Sequence, residues 1–220
     1  MAYEDEEQLA RLREWWSSYG TWVVAGVVIG ALLLFGWRSW DHRQQSRTVA
    51  ASDQYLALQQ ALDSDPALAE AIAEELVTDY AATPYAALAA LRYARERTLA
   101  GELAEAARWL EQAMTLADGP ELQALAALRL AEVRLAQGEP QAALELVSSA
   151  PAASFDPLYA EVRGDALLAL DDLDGAREAY RLALAGSTGT AREFVQLKLN
   201  ALPAAEPAAP ATDPAPAEEQ

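Results

Sequence analysis

The side chains able to do chemistry in this chain are few and far apart. His42 is the sole histidine, beside Asp41, and cysteine is absent. One imidazole and no thiolate leave a metal ion only carboxylates as partners, and these are scattered along polar helix faces rather than gathered at ligand spacing. The lack of cysteine also excludes structural disulfides, a thiol nucleophile and an acylated lipoprotein cysteine. Ser148-Ser149 and Ser187-Thr188 have no histidine base near them in sequence and read as turn or helix-end residues. Neither a phosphate-cradling glycine loop nor a strand–turn–helix nucleophile elbow occurs. The expectation is a non-enzymatic chain with no cofactor and no metal, in which His42 is an interfacial residue.

Interfacial to what is set by the element before it. From Trp15 to Trp37 no charged residue occurs. A helix of that length is roughly 35 Å long, enough to cross a hydrocarbon core of about 30 Å. Trp15, Trp16 and Trp22 stand at one end, Trp37 and Trp40 at the other, where amphipathic rings favour the headgroup level. A signal peptide needs a basic leader, a short apolar run and a small-residue cleavage site; here Glu4, Asp5, Glu6 and Glu7 precede a long run. The reading is a retained anchor at 15–37 behind an acidic segment, 1–14. Gly26 and Gly30 share one helix face and form a candidate helix–helix contact. Arg11 and Arg13 before the run, against Arg38, Arg43 and Arg47 after it, do not decide orientation.

The remainder is acidic and helical. Net charge is −18, a balance that repels phosphate backbones and anionic lipid heads and excludes nucleic acid as a partner. The apolar content is largely Ala and Leu, and alternating β-branched runs are missing, so the fold class is all-α: one transmembrane helix followed by an α-solenoid. From residue 203 to 220 the chain is Pro, Ala and scattered acids, a composition that builds no core and predicts a disordered tail.

The repeat domain is placed at 38–202. Asp65-Pro66, Thr83-Pro84, Gly119-Pro120 and Asp156-Pro157 each set a capping residue before a proline, a helix-start signal. They predict helices near 42–62, 66–80, 84–99, 102–117, 120–137, 139–149, 157–170, 173–185 and 190–201. Second helices carry Ala106 and Ala113, Ala143 and Ala150, Ala176 and Ala183; twelve residues before the first of each pair stand Ala94, Ala131 and Gly164. The units are spaced by 37 and 33 residues. Small residues there let paired helices pack closely, while Leu103, Leu110, Leu146, Leu173 and Tyr180 fill the layer. The pattern is similar to the tetratricopeptide repeat, a helix–turn–helix of about 34 residues. It departs at the large consensus position of the first helix, which holds Ala90, Ala127 and Ala160. Residues 42–80 and the helix 190–201 read as end caps. Such stacks offer a groove for peptides or partner helices, and Tyr93, Arg97, Arg129 and Arg134 on first helices are its candidate lining.

Anchor and repeats together resemble the YfgM family of Gram-negative inner-membrane proteins. The resemblance rests on Tyr3-Glu-Asp-Glu-Glu7, Leu12-Arg-Glu-Trp15-Trp16, Gly20, Gly26, Gly30 and Gly36-Trp37-Arg38-Ser39-Trp40. It continues through Thr83-Pro-Tyr85, Leu88, Leu91, Leu128-Arg-Leu130-Ala131, Leu158 and Arg163-Gly164-Asp165-Ala166-Leu167. It implies an ancillary subunit of the Sec translocon with a cytoplasmic N-terminus and a periplasmic repeat domain. The implied partners are the SecYEG channel and the PpiD chaperone, to which emerging secretory clients are passed. The Pro/Ala stretch departs from the family pattern. The rival reading is a repeat scaffold for another envelope assembly pathway, such as cytochrome c maturation.

Overall fold

A computed structural model describes residues 2–203; the side chains of 2–14, 17–19, 21, 23, 27, 36 and 39–43 fall outside the description. The expected tail, apart from Pro203, and the interfacial roles of Trp40 and His42 therefore lie outside the described residues. Among the described residues there is no strand, as the Ala/Leu composition predicts.

The chain divides into two units, Met1–Asp53 and Gln54–Gln220. The first is helix α1 (Ala2–Ser64) as far as Asp53. Its described large apolar residues face outward: Trp22, Ile29, Leu32, Leu33, Leu34, Phe35 and Trp37 are all exposed. A Cβ built on Gly26 or Gly30 would meet nothing within 4 Å, so that face is open. Among the described residues no helix is long and apolar enough to cross a membrane. The stretch expected to do so, 15–37, includes seven residues whose side chains are outside the description, among them Val23 and Val27.

The second unit begins with the end of α1 and continues through α2 (Pro66–Asp79), α3 (Pro84–Leu99), α4 (Leu103–Leu116), α5 (Pro120–Ala136), α6 (Pro140–Leu146), α7 (Asp156–Ala169), α8 (Leu173–Gly186) and α9 (Gly189–Ala201). A single 3-10 turn, Ala153–Phe155, precedes α7. Proline stands in the first turn of α2, α3, α5, α6 and α7, where its missing N–H leaves no bond unmade. Asp65 caps α2 by accepting the Leu68 N–H (3.2 Å), and Asp172 caps α8 by accepting the Gly175 N–H (2.9 Å). Thr83 does otherwise: its hydroxyl donates back to the Tyr80 carbonyl at 2.8 Å, fixing the turn before α3 rather than capping it.

Three hairpins, α3–α4, α5–α6 and α7–α8, close by one device. The residue at the turn has positive φ: Gly101 (79°), Gly138 (77°) and Asp171 (62°). The N–H that follows bonds five residues back, Glu102 to Arg97, Glu139 to Arg134 and Asp172 to Leu167, each at 2.9 Å. This is the double closure by which a left-handed residue satisfies the last carbonyls of a helix. Its recurrence at the two sequence spacings shows the repeat in the backbone itself.

Packing is built on alanine. Ala94, Ala106, Ala113, Ala131, Ala143, Ala176 and Ala183 have no exposed surface, Gly164 is buried, and Ala150 is half-buried against the α5–α7 cluster. Large residues occupy the space these leave. Tyr93 and Trp109 meet edge to face at 4.8 Å between α3 and α4. Tyr180 lies over Gly164 between α7 and α8, where a Cβ would come within 2.5 Å of its Cε1. Tyr159 ties α7 to α5 by donating its hydroxyl to the Ala124 carbonyl at 3.0 Å.

Candidate functional site

Helix α3 presents two faces, and a depression opens on each. One is a groove of about 560 Å³ between α3 and α5, with an edge from Tyr55 of α1. The hairpin spacing explains its chemistry: Leu88 and Leu125 are equivalent, as are Arg92 and Arg129, so stacking sets leucine above leucine and arginine above arginine. Val133 and Leu110 extend the floor. Arg92 and Arg95 both reach Glu96, at 3.2 and 3.0 Å, and Arg129 reaches Glu132 at 2.8 Å. The Arg129–Glu132 pair is water-exposed and of small net strength, and Arg92 and Glu96 are half-buried. The side chains of Arg95 and Arg129 stay more than half exposed, leaving guanidinium N–H groups for other acceptors.

The opposite depression, about 660 Å³, is lined by Glu70, Tyr93, Arg97, Glu102 and Glu105. Here Arg97, Glu102 and Glu105 are already engaged, although the buried Arg97 Nε has no hydrogen-bond partner. Arg97 holds Glu102 across the hairpin turn at 2.9 Å and lies over the Tyr93 ring at 4.9 Å. Burial pushes the Tyr93 hydroxyl above its ordinary 10.0, against the pull of Arg97. Glu105 accepts from Arg108 at 2.5 Å and from the Trp109 indole N–H at 3.1 Å. The Arg108 bond, aided by the Trp109 N–H, holds its carboxyl below the ordinary 4.5 despite the opposing effect of burial.

The four residues expected in the groove are thus separated. Arg129 lines it. Tyr93 and Arg97 lie on the other face of α3, because Tyr93 is drawn in against Trp109. Arg134 is the register equivalent of Arg97 and does the same work, bridging to Glu139 at 2.9 Å across its turn and to Glu111 of α4 at 2.7 Å. The signal missed in the sequence is the Arg–Glu pair five residues apart with a glycine just before the Glu, present in the first two hairpins.

At the far end Lys198, the only lysine, fixes α9. Its ammonium reaches Asp165 at 2.7 Å and Glu161 at 2.8 Å, and Tyr180 donates to Asp165 at 2.7 Å. Burial acts against the charged ammonium, but the bonds to Asp165 and Glu161 prevail and raise its pKa. Among the described residues no group of three or more His, Asp or Glu side chains is placed to hold a metal ion. The groove has an apolar floor, with Arg92, Arg95, Arg129 and Glu132 along its edges.

The family model for a tetratricopeptide repeat-like domain matches residues 13–204. The chain is 31% identical over 210 residues to the ancillary SecYEG translocon subunit of Escherichia coli, covering 91% of this chain and 98% of that one. The protein of the same description from Haemophilus influenzae is 29% identical over 204 residues, covering 92% and 100%. That from Neisseria gonorrhoeae is 28% identical over 203 residues, covering 90% and 97%.

Proposed function

Because this chain belongs to the family of ancillary SecYEG translocon subunits with a tetratricopeptide repeat-like domain, we propose that it is a non-enzymatic, membrane-tethered docking protein of the Sec translocon. Residues 15–37 anchor it in the inner membrane, residues 1–14 remain in the cytoplasm, and the repeat domain, 38–202, stands in the periplasm at the channel exit. The groove between α3 and α5 is its docking surface, and a PpiD-like chaperone and emerging secretory chains are its partners. The observation that carries this reading is similarity over nine-tenths of the chain to subunits of that description, with the 15–37 stretch inside the residues 13–204 that the family model matches.

One feature supports the anchor, and general physical chemistry supports the tethering. A helix whose large apolar residues point outward on every described side needs a solvent other than water. Tethering converts a three-dimensional encounter with a client into a local one at high effective concentration. The test is cross-linking from position 40 in native membranes. Adducts with SecY and a PpiD-like chaperone are expected; adducts with haem-assembly proteins instead would overturn the assignment. Protease added to spheroplasts checks orientation, since a protected repeat domain contradicts a periplasmic one.

A further inference from the structure

The groove selects by charge as well as by apolarity, in a direction opposite to that of the molecule as a whole. The chain carries a net −18, so its long-range field favours basic partners. Within the groove the balance reverses. Arg92, Arg95 and Arg129 stand against Glu96 and Glu132, and the repeat spacing strings Arg92 and Arg129 along one edge parallel to the Leu88–Leu125 floor. Charges beyond a Debye length of about 8 Å are screened at physiological ionic strength, so a seated segment responds to these nearby guanidinium groups rather than to the distant acids.

From this we infer that the groove takes an apolar partner segment with carboxylates flanking its apolar residues, and discriminates against the same segment flanked by lysines. Apolar side chains seat between Leu88, Leu125 and Val133, and carboxylates accept from the free N–H groups of Arg95 and Arg129 and from Arg92. Guanidinium offers two parallel N–H donors to a carboxylate, which fixes orientation as well as charge. The inference rests on the groove being the docking surface proposed above, and adds the chemical class of what docks.

The experiment uses the full chain in nanodiscs, with empty nanodiscs as control. Two short labelled peptides of one Leu/Ala pattern, one flanked by Glu and one by Lys, are titrated by fluorescence anisotropy. Charge pairs at a water-exposed edge are individually weak, and the few available here predict roughly a threefold to tenfold preference for the Glu-flanked peptide. Arg92→Glu with Arg129→Glu is expected to invert the preference, and Leu88→Gln with Leu125→Gln to weaken both peptides, with helicity retained by circular dichroism. Equal binding of the two peptides, a tighter Lys-flanked peptide, or a preference unmoved by charge reversal overturns the inference. So does binding that appears only after deletion of residues 204–220, which would make this chain's own acidic stretch the occupant. Translocon cross-links from position 40 that persist in the Arg92→Glu, Arg129→Glu variant separate failure here from failure of the translocon assignment.

Discussion

The first and third hairpins meet the same packing problem in opposite ways. In α3–α4 the small position is Ala94, its register partner on the second helix is Leu110, and the large volume comes from a neighbouring pair, Tyr93 against Trp109. In α7–α8 the small position shrinks to Gly164 and the partner grows to Tyr180, which lies in the space a Cβ would fill. The middle hairpin has Ala131 and Val147, both buried in one cluster. The small residue is there to admit its opposite number, and the smallest of the three, Gly164, stands opposite the largest, Tyr180. The turns differ as well: Gly101 takes the left-handed conformation freely, and Asp171 takes it with a side chain.

The largest way to break the comparison is to empty the first hairpin. Trp109 is fully buried, so Trp109→Ala is expected to cost about 3–5 kcal/mol, read as a lower urea midpoint of the full chain. A loss below about 1 kcal/mol would mean that the aromatic pair is not what fills α3–α4.

The size exchange is sharpened by Gly164→Ala. With Tyr180 in place the added methyl overpacks the interface, at an expected cost of about 1–3 kcal/mol. Tyr180→Leu recreates the Ala–Leu combination of the first hairpin, so the double variant should recover part of that loss, with a coupling of about 0.5 kcal/mol or more. Strict additivity would show that Gly164 serves something other than Tyr180.

Comparing the turns gives a gain rather than a loss. Asp171→Gly places in the third hairpin the residue the first two already use, and is expected to stabilise by about 0.5–1 kcal/mol. An unchanged or lower melting temperature would show that the Asp171 side chain contributes more than its backbone conformation costs.

How much of this was readable in advance follows from the range over which each feature is encoded. Helix starts were legible because Asp65-Pro66 and Thr83-Pro84 act within a few residues. The small positions were legible because the repeat spacing carries them from unit to unit. The partition of first-helix residues between two depressions was not, because helical spacing places Tyr93 and Arg129 on elements without saying which neighbour each meets. Tyr93 turned inward when Trp109, sixteen residues on, offered it an edge. The turn closure stayed hidden because its third instance carries Asp171 where glycine announces the others.

The smallest effects are changes of slope with pH, and Glu105 of the first hairpin and Tyr180 of the third should show them chiefly at opposite ends. Trp109 donates to Glu105, whose carboxyl is held below its ordinary 4.5 chiefly by Arg108. A depressed carboxyl contributes stability that is present above the unfolded value and is lost as pH falls through the folded one. Tyr180 donates to Asp165, and burial first, then that carboxylate, push its hydroxyl above 10.0. A raised phenol contributes stability that is present below 10.0 and is lost as pH rises toward the folded value. Glu105→Gln should therefore flatten the acid limb of the stability profile and touch the alkaline limb only through Tyr93, whose raised hydroxyl owes a minor part of its rise to the Glu105 charge, and Tyr180→Phe should flatten the alkaline limb and leave the acid limb alone. Lys198, raised by the same carboxylate network, keeps part of the alkaline slope in the Phe variant. If Tyr180→Phe altered the acid limb, or Glu105→Gln altered the alkaline limb beyond the part it lends to Tyr93, the hairpins would be sharing one electrostatic network, and treating them as separate solutions to one packing problem would fail.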